Sequence, residues 1–151
     1  MIAKVYPLPR AVPEDPVQDT DATGYVAIVD DDSSVRRAQA RLLGAYSFRV
    51  QTYQSGREFL DSLNSSVPAC LIVDLQMADM TGLELLQHLA GMGLRIPSIV
   101  VTARDESDIR HRCELSGAVA FLLKPVMKDV LLKAIKAAIG IRDCADTRAH
   151  R

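Results

Sequence analysis

The chain has 151 residues, of which 48% are hydrophobic and 25% are charged, and its formal net charge is −1. This length and composition fit one globular domain with some spare length. The near balance of 18 basic and 19 acidic residues gives no electrostatic reason to expect direct binding to nucleic acid or to an anionic membrane. No apolar run approaches the roughly 18 residues that span a bilayer, and the N-terminus lacks a signal-peptide core. We therefore expect a cytoplasmic protein.

The first 24 residues differ in composition from the rest of the chain. Four of the seven prolines lie within residues 1–16, and this stretch is polar and without periodicity. We predict a flexible proline-rich tail over residues 1–24 and a folded domain over residues 25–139. Residues 140–151 are short and charged, and we interpret them as a C-terminal tail or the start of a linker.

Short apolar runs alternate with helical patterns through the folded domain. The runs are rich in branched residues and predict buried strands over residues 25–30, 48–53, 69–74, 98–102 and 119–123. Cysteines 70, 113 and 144 are odd in number and widely spaced, which indicates neither a disulfide framework nor a zinc site. Cys70 lies inside an apolar run and is interpreted as a core residue.

Five helices are predicted between and after the strands. The first follows a cap at Asp32-Ser33, and its apolar face is Val35, Ala38, Leu42 and Ala45. The second and third begin with capping boxes, Ser55–Glu58 and Thr81–Glu84. The fourth runs from Asp105 to Gly117 with few apolar anchors, namely Ile109, Cys113 and Leu115. The last has the apolar face Val130, Leu131, Ala134, Ile135 and Ala138.

Strands that alternate with helices predict an α/β fold with a parallel sheet and helices on both faces. Five such units are expected to form a single doubly wound (βα)5, flavodoxin-like domain with strand order 2-1-3-4-5. In these sheets ligands bind outside the carboxyl ends of the strands, at the switch point between strands 1 and 3. Polar residues stand at the ends of four predicted strands there: Asp30, Asp31 and Asp32 at the first; Asp74 at the third; Thr102 at the fourth; and Lys124 directly after the fifth.

These residue types favour magnesium-dependent phosphoryl chemistry. Mg²⁺ takes one or two carboxylates together with waters and a phosphate oxygen, and we assign Asp30 and Asp31 to the metal and Asp32 to the helix cap. The carboxylate of Asp74 can then attack phosphorus and form an aspartyl phosphate. Lys124 can neutralise the phosphoryl oxygens, and the Thr102 hydroxyl can donate to one of them.

The motifs IVDDD, LIVDLQMADMTGLELL, IVVTAR and GAVAFLLKPV resemble the receiver domain of two-component response regulators. The order and spacing match from Tyr25 to about Ile139, and SGREFL, MTGLELL and GAVAFLLKP are most similar to FixJ-like receivers. One departure lies in the loop after the third strand, where the usual Met-Pro is Met77-Ala78 and predicts a less rigid loop.

The resemblance implies a role for each matching residue. Asp74 matches the phosphoacceptor and, with Asp30, Asp31 and the backbone carbonyl of Gln76, a ligand of Mg²⁺. Thr102 and Lys124 match the family's hydroxyl and lysine. Phe121 falls on the aromatic position that switches together with Thr102, and the bond that precedes Pro125 is expected to be cis.

The resemblance also implies partners. A sensor histidine kinase or a phosphotransfer protein would donate the phosphoryl group to Asp74, and the domain would assist its own phosphotransfer and dephosphorylation rather than act as an enzyme on other substrates. The fourth helix, fifth strand and fifth helix would then form the surface for a phosphorylation-dependent homodimer or a target protein. The chain is either a stand-alone receiver or the excised receiver of a transcriptional regulator.

Two other interpretations stay open. A haloacid-dehalogenase-type Mg²⁺ phosphatase is suggested by Asp30-x-Asp32, and it would be phosphorylated on Asp30 and leave Asp74 without a role. A pseudo-receiver adaptor would keep the fold without using phosphorylation. A dinucleotide-binding or P-loop domain is excluded, because no glycine-rich loop follows the first strand.

Overall fold

The computed structural model describes residues 24–140, which form five strands that alternate with five helices. The strands are β1 (Val26–Val29), β2 (Val50–Tyr53), β3 (Cys70–Asp74), β4 (Ser98–Thr102) and β5 (Ala118–Leu123). The helices are α1 (Ser33–Ala45), α2 (Gly56–Ser62), α3 (Gly82–Gly91), α4 (Ser107–Leu115) and α5 (Lys128–Ile139). The strands are parallel and lie in the order β2-β1-β3-β4-β5. The predicted (βα)5 doubly wound fold is confirmed.

Each face of the sheet carries its own hydrophobic core. One core lies under α2, α3 and α4 and includes Phe59, Leu86 and Phe121. The other lies under α1 and α5 and includes Leu43 and Ile135. Because β1, β3 and β4 are buried on both sides, they are apolar almost throughout rather than alternating. This rigid interior fixes where the strand ends lie.

The predicted apolar face of α1 is only partly correct, because Leu42 packs against the core but two of its alanines do not. Ala38 and Ala45 are exposed, whereas Leu43 is fully buried with Ala40 packed against the same core. Leu42 and Leu43 lie about 100° apart around the helix axis. Leu42 is partly buried and packs against the same core, so the buried face is centred nearer Leu43 than predicted.

The predicted start and apolar anchors of α4 also need correction. The helix begins at Ser107 rather than Asp105, and its N-cap residue Glu106 makes no side-chain cap hydrogen bond. The carboxylate of Asp105 instead pairs with Arg110. Of the three predicted anchors Cys113 is fully buried, but Leu115 is 74% exposed. On α5, Val130 is predicted in the core and is likewise exposed.

The two predicted capping boxes differ in detail. Thr81 and Glu84 at the start of α3 bond each other's backbone N–H groups, as predicted. At the start of α2, Ser55 accepts from the N–H of Glu58, but the carboxylate of Glu58 accepts from the N–H of Gln54, one residue before the cap. Both arrangements satisfy donors at a helix start.

Two expectations from composition concern membranes and cysteines. Among residues 24–140, no helix is long and apolar enough to cross a bilayer. Cys70 and Cys113 are buried free thiols, and burial raises the pKa of Cys70 to about 12 and that of Cys113 to about 11. Both therefore stay protonated and behave as core residues. Cys144 and the two predicted tails, apart from residues 24 and 140, lie outside the described residues.

Candidate functional site

The polar residues predicted at the strand ends meet at one edge of the sheet. Asp74 ends β3 and Thr102 ends β4, while Asp30 and Asp31 follow β1 and Lys124 follows β5. The N–H of Lys124 donates to the carbonyl of Thr102 at 2.8 Å, which joins the ends of β4 and β5. We call Asp30, Asp31, Asp74, Thr102 and Lys124 the strand-end site.

The centre of the strand-end site is an ion pair between Asp74 and Lys124. Lys124 Nζ lies 3.0 Å from Asp74 Oδ2, and the N–H of Gln76 donates to Asp74 Oδ1 at 3.1 Å. The side chain of Asp74 is 7% exposed and that of Lys124 is 31% exposed. A charge-assisted bond in so sheltered a place fixes the carboxylate while the lysine remains accessible from solvent.

Asp30 is buried next to this ion pair. Its side chain is 4% exposed, and its Oδ2 lies 3.9 Å from Lys124 Nζ. The N–H of Asp32 donates to Asp30 Oδ1 at 2.9 Å. Burial raises the pKa of Asp30, and the charges of Asp74 and Asp31 raise it further, against the lowering effects of the Asp32 N–H and of Lys124. The strand-end site therefore carries more negative charge than the single ammonium of Lys124 compensates.

Asp31 faces solvent and is tied to the loop after β3. Its Oδ2 accepts a hydrogen bond from the N–H of Ala78 at 3.1 Å. The proline that is usual at this position would have no N–H to donate. Ala78, which stands in place of that proline and predicted a less rigid loop, thus attaches the loop to the β1–α1 segment.

Asp32 serves the helix rather than the site, as predicted. Its Oδ1 accepts from the N–H of Ser34 at 2.9 Å and from that of Val35 at 3.3 Å, which makes it the N-cap of α1. The three consecutive aspartates therefore point to three different environments.

Thr102 and Phe121 are both buried, at 1% exposure each. Thr102 Oγ1 accepts from the N–H of Arg104 at 3.3 Å. Phe121 pairs with Val100 across β4 and β5, and its ring points into the core beneath α4. The Lys124–Pro125 peptide bond is cis.

The donor set fits a hard divalent cation that completes its shell with other oxygens. Within residues 24–140, no three His, Cys, Asp or Glu side chains are placed to enclose an ion by themselves. Mg²⁺ does not need such an enclosure, because it characteristically keeps waters and shares phosphate oxygens. Two carboxylates, those of Asp30 and Asp74, lie beside the one ammonium of Lys124 and leave an excess of negative charge for the cation to neutralise.

Sequence reasoning missed three contacts around the site. Arg36 Nη1 donates to the carbonyl of Asp30 at 2.7 Å, the N–H of Ala78 binds Asp31, and the guanidinium of Arg110 lies over Phe121. Arg36 begins the second turn of α1, directly after the acidic loop, so its contact with that loop could have been predicted from the sequence. The other two contacts join segments that are distant along the chain and leave no local pattern.

Comparison with known proteins identifies the family to which this fold belongs. Residues 26–136 match the family model of the response regulator receiver domain. The chain belongs to this family, which is a family of signalling domains in two-component systems.

The similarity is more specific for FixJ-like regulators, as predicted. The chain is 38% identical over 119 residues to the transcriptional regulatory protein FixJ of Rhizobium meliloti, covering 79% of this chain and 57% of that protein. It is 35% identical over 133 residues to the transcriptional regulatory protein TdiR of Thauera aromatica, covering 87% of this chain and 59% of the relative. The chain thus spans somewhat more than half the length of these curated relatives.

Solved structures agree. The crystal structure of FixJ-N matches with a TM-score of 0.73 at 34% identity, covering 85% of this chain and 99% of that one. A response regulator receiver protein from Burkholderia phymatum matches with a TM-score of 0.70 at 39% identity, covering 80% and 98%. Membership in the receiver family disfavours the phosphatase interpretation, and Asp32, the second aspartate of Asp30-x-Asp32, is engaged as a helix cap.

Proposed function

We propose that this chain is a phosphorylation-activated receiver in which Asp74 accepts a phosphoryl group from a sensor histidine kinase or a phosphotransfer protein in the cytoplasm. The observation that carries the proposal is the Asp74 carboxylate, which ends β3 and is held from two sides by Lys124 and the N–H of Gln76. A carboxylate fixed at the mouth of a charged pocket is suited to attack an incoming phosphorus.

The proposed transfer forms one bond to phosphorus and breaks another. One oxygen of the Asp74 carboxylate bonds to phosphorus while the bond between phosphorus and the donor's imidazole nitrogen breaks, and the electron pair stays on that nitrogen. Lys124 is already near enough to move from the Asp74 carboxylate to a phosphoryl oxygen, which would compensate the charge that arrives. Thr102 would donate its hydroxyl to another oxygen.

The same edge of the sheet would hold Mg²⁺. Asp30, Asp31, Asp74 and the backbone carbonyl of Gln76 are the proposed ligands. When bound, the ion supplies charge neutralisation and alignment of the phosphoryl oxygens. Asp30 supports this assignment, because burial and neighbouring carboxylates raise its pKa and a cation would relieve that destabilisation.

Output would use α4, β5 and α5. Leu115, Met127 and Val130 are large apolar side chains of these elements or of the loop between them, and they are 74%, 68% and 40% exposed. We propose that they contribute to a phosphorylation-dependent homodimer or to a target-protein contact. Analytical ultracentrifugation with and without the phosphoryl mimic beryllofluoride tests the dimer directly.

Intact mass spectrometry after incubation with acetyl phosphate tests the proposal as a whole. The wild type and the control Asp61→Asn, which changes an exposed aspartate on α2, are expected to gain one phosphoryl group. Asp74→Asn is expected to gain none, and chelation of Mg²⁺ should abolish the reaction. A wild type that binds Mg²⁺ and remains unmodified would favour the adaptor interpretation instead.

A further inference from the structure

The hydrogen bond between Ala78 and Asp31 joins the two loops that carry the proposed cation ligands. Asp31 lies in the β1–α1 loop, residues 30–32, and Ala78 lies in the β3–α3 loop, residues 75–81. The N–H of Ala78 donates to Asp31 Oδ2 at 3.1 Å. The β3–α3 loop also contains Gln76, whose backbone carbonyl is another proposed ligand. One backbone N–H therefore links the two groups of proposed ligands.

The carboxylate of Asp31 has fewer contacts than the other two carboxylates of the strand-end site. Asp30 and Asp74 are buried, and each lies beside a backbone N–H and the ammonium of Lys124. Asp31 is exposed. Within residues 24–140, the group that hydrogen-bonds its carboxylate is the N–H of Ala78. The orientation of the Asp31 carboxylate therefore depends on a single backbone N–H.

A carboxylate that is already oriented loses less conformational freedom when a cation binds to it. Carboxylates that bind metals are commonly hydrogen-bonded by a neighbouring group, and loss of that group weakens metal binding. The Ala78 bond has this form, because it occupies Oδ2 of Asp31 and leaves Oδ1 for another partner. A hydrogen bond of this kind changes an equilibrium by about two- to tenfold.

We propose that the N–H of Ala78 is a positioning group for the cation site, which orients the Asp31 carboxylate and joins the two ligand loops in the free protein. Proline has no N–H to donate, so receivers with the usual Met-Pro lack this bond. The effect on cation binding rests on the proposed function, whereas the bond in the free protein does not.

Hydrogen exchange of the Ala78 amide, measured by nuclear magnetic resonance without Mg²⁺, tests the bond. Asp31→Ala removes the acceptor, and the amide is expected to exchange about two- to tenfold faster than in the wild type. Asp79→Ala is the matched control, because it removes an exposed carboxylate next to Ala78 and leaves the acceptor in place. Equal acceleration in the two variants, or none in Asp31→Ala, would overturn the proposal.

Titration of the full chain with Mg²⁺, followed by proton nuclear magnetic resonance, tests the effect on the site. Replacing Ala78 by lactic acid in a semisynthetic chain exchanges the N–H for an ester oxygen and keeps the methyl side chain. We expect the dissociation constant of Mg²⁺ to rise about two- to tenfold. Ala78→Ser keeps the N–H and should bind Mg²⁺ as the wild type does. An ester chain that binds Mg²⁺ as tightly as the wild type, or more tightly, would overturn the proposal.

Ala78→Pro separates the N–H from the stiffness of the loop. Proline also removes the N–H but restricts the backbone, so the rise in the dissociation constant should be no larger than in the ester chain. A rise in Ala78→Pro that is absent from the ester chain would assign the change to loop stiffness and contradict the proposal. If the wild type itself does not bind Mg²⁺, the proposed function fails, while the exchange measurement still decides whether Ala78 holds Asp31.

Discussion

At the scale of single residues, the fold brings the charged side chains of the strand-end site closer together than they would be in the hydrated, unfolded chain. The ionised form of Asp30 is the most disfavoured of these charges. Its carboxylate is buried and is repelled by those of Asp74 and Asp31, and the charge of Lys124, which also pairs with Asp74, offsets this only in part. Repulsion between two like charges about 4 Å apart amounts to about 1 to 4 kcal/mol, depending on how far water screens them. Sites that are strained in this way are where function is expected.

The raised pKa of Asp30 predicts a pH-dependent cost to stability. A raised folded-state pKa means that the folded protein binds the proton more tightly than the unfolded chain does, so stability falls as pH rises above the ordinary value of 3.8. In the metal-free protein, Asp30→Asn is expected to be more stable than wild type near pH 7 by about 1 kcal/mol, with the difference shrinking toward pH 4. Urea unfolding at several pH values measures this.

Asp61→Asn is the control for that experiment, since Asp61 is exposed on α2. It should leave the pH dependence as in the wild type. A wild type that gains stability over Asp30→Asn as pH rises would show that the carboxylate is favoured, not opposed, by its surroundings.

At the scale of elements, the start of α3 sets the position of Asp74. The N–H of Gly82 donates to the carbonyl of Leu75 at 3.1 Å, and a Cβ on Gly82 would lie 2.6 Å from the carbonyl oxygen of Asp74 and 2.9 Å from the Cα of Leu75. Both obstacles are backbone atoms, which cannot rotate away. Glycine is therefore required here for the close approach of helix and strand.

This close approach predicts opposite effects for two glycines of one helix. Gly82→Ala is expected to destabilise the protein by about 2 kcal/mol or more, in the range of overpacked cores. Gly91→Ala, at the other end of α3 with nothing within 4 Å of the added Cβ, should be neutral or gain up to about 1 kcal/mol. Denaturant unfolding compares them, and similar losses in both variants would contradict the steric requirement at Gly82.

Element types were predictable from local periodicity, but the details depended on contacts between elements. The strands, their order and the caps at Asp32, Ser55 and Thr81 follow from alternating patterns and from residues that satisfy helix ends. The full apolar face of α1 did not, because adjacent Leu42 and Leu43 both pack against the core and spacing alone had selected only Leu42. Leu115 was misassigned because spacing alone does not show where α4 leaves the core.

The same distinction applies to the site. Convergence of Asp30, Asp74 and Lys124 followed from the topology of a parallel sheet, which brings strand ends together whatever the side chains are. The contacts of Ala78 and Arg110 join residues whose proximity depends on loop paths and on side-chain conformation. Such contacts carry no periodic signal in the sequence.

At the scale of the whole molecule, the described domain begins at its first buried side chain. Tyr25 is 6% exposed, its hydroxyl contacts Ser66 Oγ at 3.1 Å, and its carbonyl accepts from the N–H of Ala69 at 2.8 Å. These contacts attach the start of the domain to the segment that leads into β3. The domain boundary near residue 25 stays a prediction.

Truncation tests this boundary. A chain of residues 24–140 is expected to unfold with the same free energy as the full chain, within about 0.5 kcal/mol. A chain of residues 26–140 loses Tyr25 and should be destabilised by about 2 to 4 kcal/mol, as for removal of a buried aromatic side chain. A large loss on going from the full chain to residues 24–140 would show that the predicted tails contribute to the fold.

The identity of the carboxylate that takes the phosphoryl group is the central claim for the whole molecule. The direct measurement is to phosphorylate the protein with Mg²⁺ and acetyl phosphate, reduce it with borohydride, and locate the resulting homoserine by peptide mass spectrometry. Borohydride reduces an aspartyl phosphate to homoserine and leaves free aspartates unchanged, so we predict homoserine at position 74 and aspartate at positions 30, 31 and 32. Homoserine at position 30, with Asp74 intact, would contradict the claim.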